Sequence, residues 1–299
     1  MNPACLSHCL TEEQRRFFQE PGYLAINNAL DEAMTGRLIE AVDRVDARER
    51  REEHRGRLLS VTNIIHEDDA FLELIDWSAT FPKIWGILGW NIYLYHSHLD
   101  VTPPENAAAQ NWSVAWHQDS MRVNDELESE PRPRLSVKIG FYLTDVSQPD
   151  RGNTLIVPGS HLHNSIDCPQ DGKSNPAGAE PLCVPPGSAV IIDRRIWHSR
   201  SANLSELTRK VIWLGYSYRW LKPKDEMTVR HLYPQLDPIQ RQLLGDGRSA
   251  NGVYDPTDED VPLRGWLQEH CPQAAGPSPH GRSHSRPPAM VRGANTGRN

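Results

Sequence analysis

Beyond Ile92 the chain breaks into short apolar runs divided by turn formers, and this change of texture does most to limit what it can fold into. The runs are Ile92 to Leu99, Leu135 to Thr144, Thr154 to Val157, Ser188 to Ile192 and Lys210 to Tyr218, with Pro, Gly, Asn and Asp in every gap. Short runs punctuated in this way read as strands. Helical patterns precede them. Thr11 with Gln14 three residues on makes a capping box, so a helix starts there and stops at Glu20-Pro21-Gly22. Tyr23 to Ile26 suits a strand. Asp31 caps a second helix with Met34, Leu38, Val42 and Val45 at helical spacing, and a third helical stretch runs from Phe71 towards Leu88. Helices first and many short strands later give an α+β expectation: a jelly-roll (double-stranded β-helix) core with N-terminal flanking helices. A last helix is expected from Pro238 to Leu244, with Asp237 as N-cap and Gly245 just past its end.

Composition narrows the function classes. At 38% hydrophobic and 24% charged, the 299 residues can build a core. No run approaches the ~18 apolar residues of a membrane span. The start, MNPACLSHCLTEEQRRFF, lacks the basic and apolar regions of a secretion signal. A net charge of -7 has the wrong sign for a nucleic-acid footprint. The expectation is a cytoplasmic protein with no membrane or nucleic-acid partner. Its 5 cysteines, an odd number without a CxxC, fit free thiols rather than a disulfide or zinc scaffold. From Pro272 to Asn299 the chain is rich in Pro, Gly and Arg and carries no acid, which reads as a disordered tail, His280 and His284 included, behind a single domain of residues 1–271.

Three pieces carry chemistry. Trp116-His117-Gln118-Asp119 sets an imidazole and a carboxylate two residues apart, and on a strand such residues share a face. Ile196-Trp197-His198 follows the apolar run Ala189 to Ile192. Two His and one carboxylate on one face leave open positions on a non-haem Fe(II). Each piece alone also fits a surface turn or a packed histidine. Arg209 opens the last strand; facing inward, its fork of donors would match a carboxylate, whereas at a strand edge it would simply face solvent.

Together these residues resemble the phytanoyl-CoA dioxygenase family of iron(II)/2-oxoglutarate dioxygenases. The resemblance spans nearly all of residues 10–223. It covers LTEEQRRFFQEPGYLAINNAL, the WHQD box, GNTLIVPGSH at Gly152 to His161, and H-x4-N-x5-R at His198, Asn203 and Arg209. It implies Fe(II) held by His117, Asp119 and His198, with O2 as the oxidant. It also implies 2-oxoglutarate with its distal carboxylate on Arg209, and further co-substrate contacts at Asn63 and His98, placed by VTNI and by the strand Tyr95 to Leu99. The expected activity is hydroxylation or another oxidation of a C–H in a small metabolite, with 2-oxoglutarate decarboxylated to succinate. Halogenating relatives have Ala or Gly where this chain has Asp119, so halogenation is not expected.

Two departures stand out. Gly140 replaces a bulky aromatic, implying more room beside the iron, and Arg200 stands among the usually small residues after His198, where it could meet a substrate or second carboxylate. The polar loop from His163 to Cys183 is a candidate lid over the site. Ser120 to Arg134 is another segment that could meet substrate, or a solvated loop. The rival readings are a cupin-type metalloenzyme built on His96-Ser97-His98, which leaves Arg209 unexplained, and a non-catalytic jelly-roll binding protein.

Overall fold

Two antiparallel sheets face one another, and the alternation of side chains along their strands decides what fills each layer. The structure, a computed structural model, describes residues 1–105, 113–247 and 251–276. In chain order the first elements are α1 (Glu12–Gln19), β1 (Tyr23–Ile26), α2 (Glu32–Glu49), β2 (Leu59–Thr62), α3 (Asp69–Glu73), α4 (Phe81–Leu88) and β3 (Ile92–Thr102). There follow α5 (Met121–Asp125), β4 (Ser136–Tyr142), β5 (Thr154–Ile156), β6 (Glu180–Pro181), β7 (Ser188–Asp193), β8 (His198–Arg200) and β9 (Arg209–Tyr218). The larger sheet has the order β1-β7-β4-β9-β3-β2 and the smaller β6-β5-β8. The chain changes sheets between β7 and β8, as a jelly roll requires.

Helix starts follow the local signals. Thr11 and Gln14 close their capping box on α1, and the Asp31 carboxylate accepts from Met34 N at 2.7 Å on α2. The stretch expected as one helix from Phe71 is broken instead. A 3-10 turn at Leu74–Asp76 follows α3, Trp77 turns away to donate Nε1 to Ala29 O at 2.6 Å, and Pro82 starts α4 afresh. Pro cannot supply the interior amide that a continuous helix needs. After the sheets, Asp237 caps α6 (Pro238–Leu243) with a full capping box, and Gly245 takes φ 86°.

Alternation builds two apolar layers. Val137, Ile139 and Phe141 of β4, with Ala189 and Ile191 of β7, pack under the helices alongside Leu38, Val42 and Leu88. Tyr142, Val190, Ile192, Val211 and Trp213 point the other way, into the space between the sheets. Among the described residues no helix is long and apolar enough to cross a membrane. The tail expectation needs a later boundary, since Pro272–Ala274 form a 3-10 turn and Trp90 Nε1 donates to Gly276 O at 2.9 Å. The remainder of that tail, with His280 and His284, lies outside the described residues.

Candidate metal and co-substrate site

A cavity of about 350 Å³ opens between the sheets, with His98, Lys138, Arg209 and Trp213 contributed by the larger sheet and Thr154, His198 and Arg200 by the smaller. His117 and His198 are joined as one rung of antiparallel ladder: each backbone amide donates to the other's carbonyl at 3.0 Å. The rung sets the two rings 4.3 Å apart, centroid to centroid. Asp119 follows as the chain leaves that rung, its amide bonded to Arg194 O at 3.0 Å. One ligand atom from each of His117, Asp119 and His198 lies within 4.8 Å of the others.

The protonation pattern suits a cation. His117 Nδ1 is 2.8 Å from Ala115 O and His198 Nδ1 2.9 Å from Ile196 O. A carbonyl there must receive an N–H, so each ring turns an Nε2 lone pair to the site. Burial and the neighbouring His117 push the His198 pKa down to about 4, so that imidazole is neutral. Burial alone would raise the Asp119 carboxyl; the charges of Lys138, His198, Lys224 and His117 outweigh it and hold the group below the ordinary carboxylate range. Two imidazoles and a carboxylate form a donor set for Fe(II).

Arg209 supplies the other half. It begins β9, is 3% exposed and sets Nη2 3.2 Å from Thr154 Oγ1, while its Nε and Nη1 find no partner. Tyr142 donates to the same Thr154 oxygen at 2.9 Å, and the guanidinium carbon lies 5.7 Å from the Tyr142 ring centroid. Buried donors left over on a charged fork fit a carboxylate-bearing co-substrate. His98 also lines the cavity, where burial drives its pKa well down and its Nδ1 has no partner.

Not every expected residue reaches the cavity. Asn63 sits in the left-handed region at φ 60°, and its amide is engaged with Thr228 at both ends, donating at 2.9 Å and accepting at 3.0 Å. It is a tie between β2 and the segment after β9, not a residue that lines the cavity. Room beside Gly140 is also not found, because Trp213 fills it: a Cβ there would lie 2.6 Å from the indole. Arg200 lines the cavity with its fork already taken by Glu105, at 2.7 and 3.0 Å. The loop from His163 to Cys183 contributes β6 to the smaller sheet. It reaches the cavity wall only indirectly, through Gly172 O, which accepts from Val114 N at 2.9 Å beside the lining residues Ser113 and Ala115. The segment from Ser120 to Arg134 buttresses the WHQD box. Asn124 donates to Asp119 O at 2.9 Å and Arg132 to Gln118 Oε1 at 3.0 Å.

The sequence profile of the phytanoyl-CoA dioxygenase family matches residues 18–211. The chain belongs to that family. Its similarity to individual members is distant. A probable alpha-ketoglutarate-dependent hypophosphite dioxygenase of Stutzerimonas stutzeri is 23% identical over 237 residues, 69% of this chain and 78% of that one. The ectoine dioxygenase of Nocardia farcinica is 22% identical over 237 residues, 69% and 77% of the two chains. Among solved structures, HygX from Streptomyces hygroscopicus with nickel and 2-oxoglutarate bound superposes with a TM-score of 0.59 at 16% identity, covering 72% of this chain and 90% of HygX. The alpha-ketoglutarate-dependent carbocyclase SnoK from nogalamycin biosynthesis gives 0.53 at 22% identity, over 77% and 92%. Both likenesses are of fold.

In this phytanoyl-CoA dioxygenase relative several cavity residues escaped the sequence patterns, Asp100, Lys138 and Trp213 among them. The signal was present: the alternation that puts Gly140 on the cavity face of β4 puts Lys138 there too.

Proposed function

We propose that the protein is an Fe(II)- and 2-oxoglutarate-dependent dioxygenase that oxidises an unactivated C–H of a small organic metabolite. His117, Asp119 and His198 hold the iron, and Arg209 holds the distal carboxylate of 2-oxoglutarate. The observation that carries this is the pairing of a ready donor triad with a buried, half-unpartnered arginine in one cavity. When bound, ferrous iron supplies the activation of O2 that couples decarboxylation of 2-oxoglutarate to oxidation of the substrate. The protein's own part is placement. The backbone rung fixes the spacing of the two imidazoles, and the carbonyls of Ala115 and Ile196 fix their tautomers. Thr154 and Tyr142 orient the Arg209 fork, and Trp213 walls the cavity against the larger sheet. The small-molecule class of substrate is supported by relatives that act on hypophosphite and on ectoine.

The cupin reading is less well served. The His96 and His98 rings lie 4.7 Å apart, but the His–Asp–His triad is the metal-capable group of three among the described residues, and it does not include them. The deciding experiment is an anaerobic optical titration of metal-free protein with Fe(II) and 2-oxoglutarate. A visible charge-transfer band that needs both additions, and that weakens in Asp119→Ala and Arg209→Ala, is expected. Folded wild-type protein that gives no band would end the proposal.

A further inference from the structure

Lys138 is the cavity residue left without a task. Along β4, Val137, Ile139 and Phe141 enter the helix-side core, while Lys138 and Tyr142 face the other way with Gly140 between them. Lys138 and Tyr142 are four residues apart, ~13 Å along an extended strand. Tyr142 carries Arg209 over its ring, so the face has one cation near each end. Trp213 pairs across from Gly140 and stands between them. Its ring meets Tyr142 edge-on at 5.9 Å, and Lys138 Nζ lies 4.8 Å from a Trp213 ring centroid. The two cationic ends are therefore distinct places, divided by an indole.

Among the described residues the ammonium has one ion pair, at 3.7 Å, and one aromatic face. Lys138 is only 14% exposed, yet it donates no hydrogen bond to any described residue. The carboxylate facing it is Asp119, with Oδ2 at 3.7 Å, beyond hydrogen-bond length. Asp119 is also the carboxylate proposed to bind the metal, and a divalent cation would take up the charge the ammonium faces. The charges of Lys138 and Lys224 are both felt at Asp119, His96 and His98. Of the other acids, Glu105 is held by Arg200 and Asp225 by Ser97 N at 2.7 Å and Met227 N at 3.1 Å, while Asp100, which lines the same cavity, lies 3.8 Å from His98 Nε2. An ammonium half withdrawn from water with free donors is costly until an anion meets it.

We propose that Lys138 forms a second anion subsite that receives a carboxylate or similar oxyanion of the organic substrate, while Arg209 receives the co-substrate. The proposal rests on the dioxygenase reading with Asp119 as a metal ligand, and it makes the substrate a small organic acid.

The test is calorimetric binding to the full chain loaded with Mn(II) and 2-oxoglutarate, without turnover. The probes are straight-chain carboxylates from propanoate to octanoate, each paired with the amide of the same acid. Wild type should bind the acids about tenfold or more tightly than their amides, the discrimination expected of a charge-assisted contact. Lys138→Arg should keep that preference and Lys138→Met should abolish it. Equal binding of acid and amide by wild type, or binding of neither, overturns the proposal whether or not the Met variant folds. So does a preference that survives Lys138→Met. If Lys138→Met instead weakens 2-oxoglutarate binding and wild type shows no acid preference, the lysine serves the co-substrate and the proposal fails. Wild type that takes up no 2-oxoglutarate with Mn(II) defeats the dioxygenase reading itself, an outcome seen before any probe is added.

Discussion

Replacing Arg209 by Met separates what the guanidinium costs the fold from what it gives the site. The side chain is 3% exposed, Nε and Nη1 lack partners, and burial lowers its pKa by disfavouring the charge. Exchanging a buried charge for an apolar side chain of similar volume is often stabilising by ~1–4 kcal/mol. At roughly 2 °C per kcal/mol for a chain of this size, ligand-free Arg209→Met should melt ~2–8 °C above wild type. The same change removes a charge-assisted pair to the co-substrate, a loss of ~2–5 kcal/mol. That is ~30- to 4,000-fold in the dissociation constant of 2-oxoglutarate. Thermal unfolding of both proteins, with and without Mn(II) and 2-oxoglutarate, reads the two effects together. Wild type at ~100 times its dissociation constant should gain ~2.7 kcal/mol from the ligand, and the variant at the same concentration almost none. A ligand-free variant less stable than wild type, or one that keeps the ligand's increment, would refute the reasoning. Arg209 would then be a structural partner of Tyr142 and Thr154.

Other changes have equally definite outcomes. Gly140→Val would set a Cβ 2.6 Å from Trp213, so the indole must leave its place; the overpacking should cost ~1–3 kcal/mol and shift the tryptophan emission, and an unchanged spectrum would count against the close fit. Glu105→Ala leaves Arg200 Nη2 and the Asn203 backbone amide without their acceptor, while Arg200 Nη1 keeps Ser201 O. A loss of ~1–3 kcal/mol in denaturant unfolding is expected. Burial would raise the Asp193 pKa, but the hydrogen bonds and charges of Arg195 and Arg134 hold it at about 2. With a folded value below the unfolded ~3.9, its contribution of ~2–3 kcal/mol is present above pH ~4 and fades as pH falls towards 2. Urea unfolding at pH 5 and pH 2.5 should show that loss in wild type and a flatter dependence in Asp193→Asn.

Local signals in the sequence were the ones that could be read. Capping boxes at Thr11 and Asp237, and the Asp31 cap, act within one turn and appear where their spacing puts them. The longer strands announced themselves by apolar runs. β2, β6 and β8 did not, because they hold no continuous apolar run and are defined by distant partners: Thr62 by His98, Leu155 by Pro181 and by Ser199. The same non-locality explains the errors at the site. That Gly140 is filled by Trp213, that Glu105 holds Arg200 and that Thr228 holds Asn63 all depend on segments far apart in the chain. His117, Asp119, His198 and Arg209 were accessible because their residue types suit one chemistry and because a family resemblance tied them together.

The rung between His117 and His198 has a kinetic meaning as well as a geometric one. Its two members are 81 residues apart, and contacts of that separation are among the slowest to form because the intervening loop must first be closed. A nascent or partly folded chain thus presents the His117–Asp119 pair without its completing imidazole. The donor triad comes into being only when the segment that carries His117 and Asp119 has paired with β8. A redox-inert metal such as Zn(II), added during refolding, should therefore report closure of that rung, its capture lagging the recovery of helix.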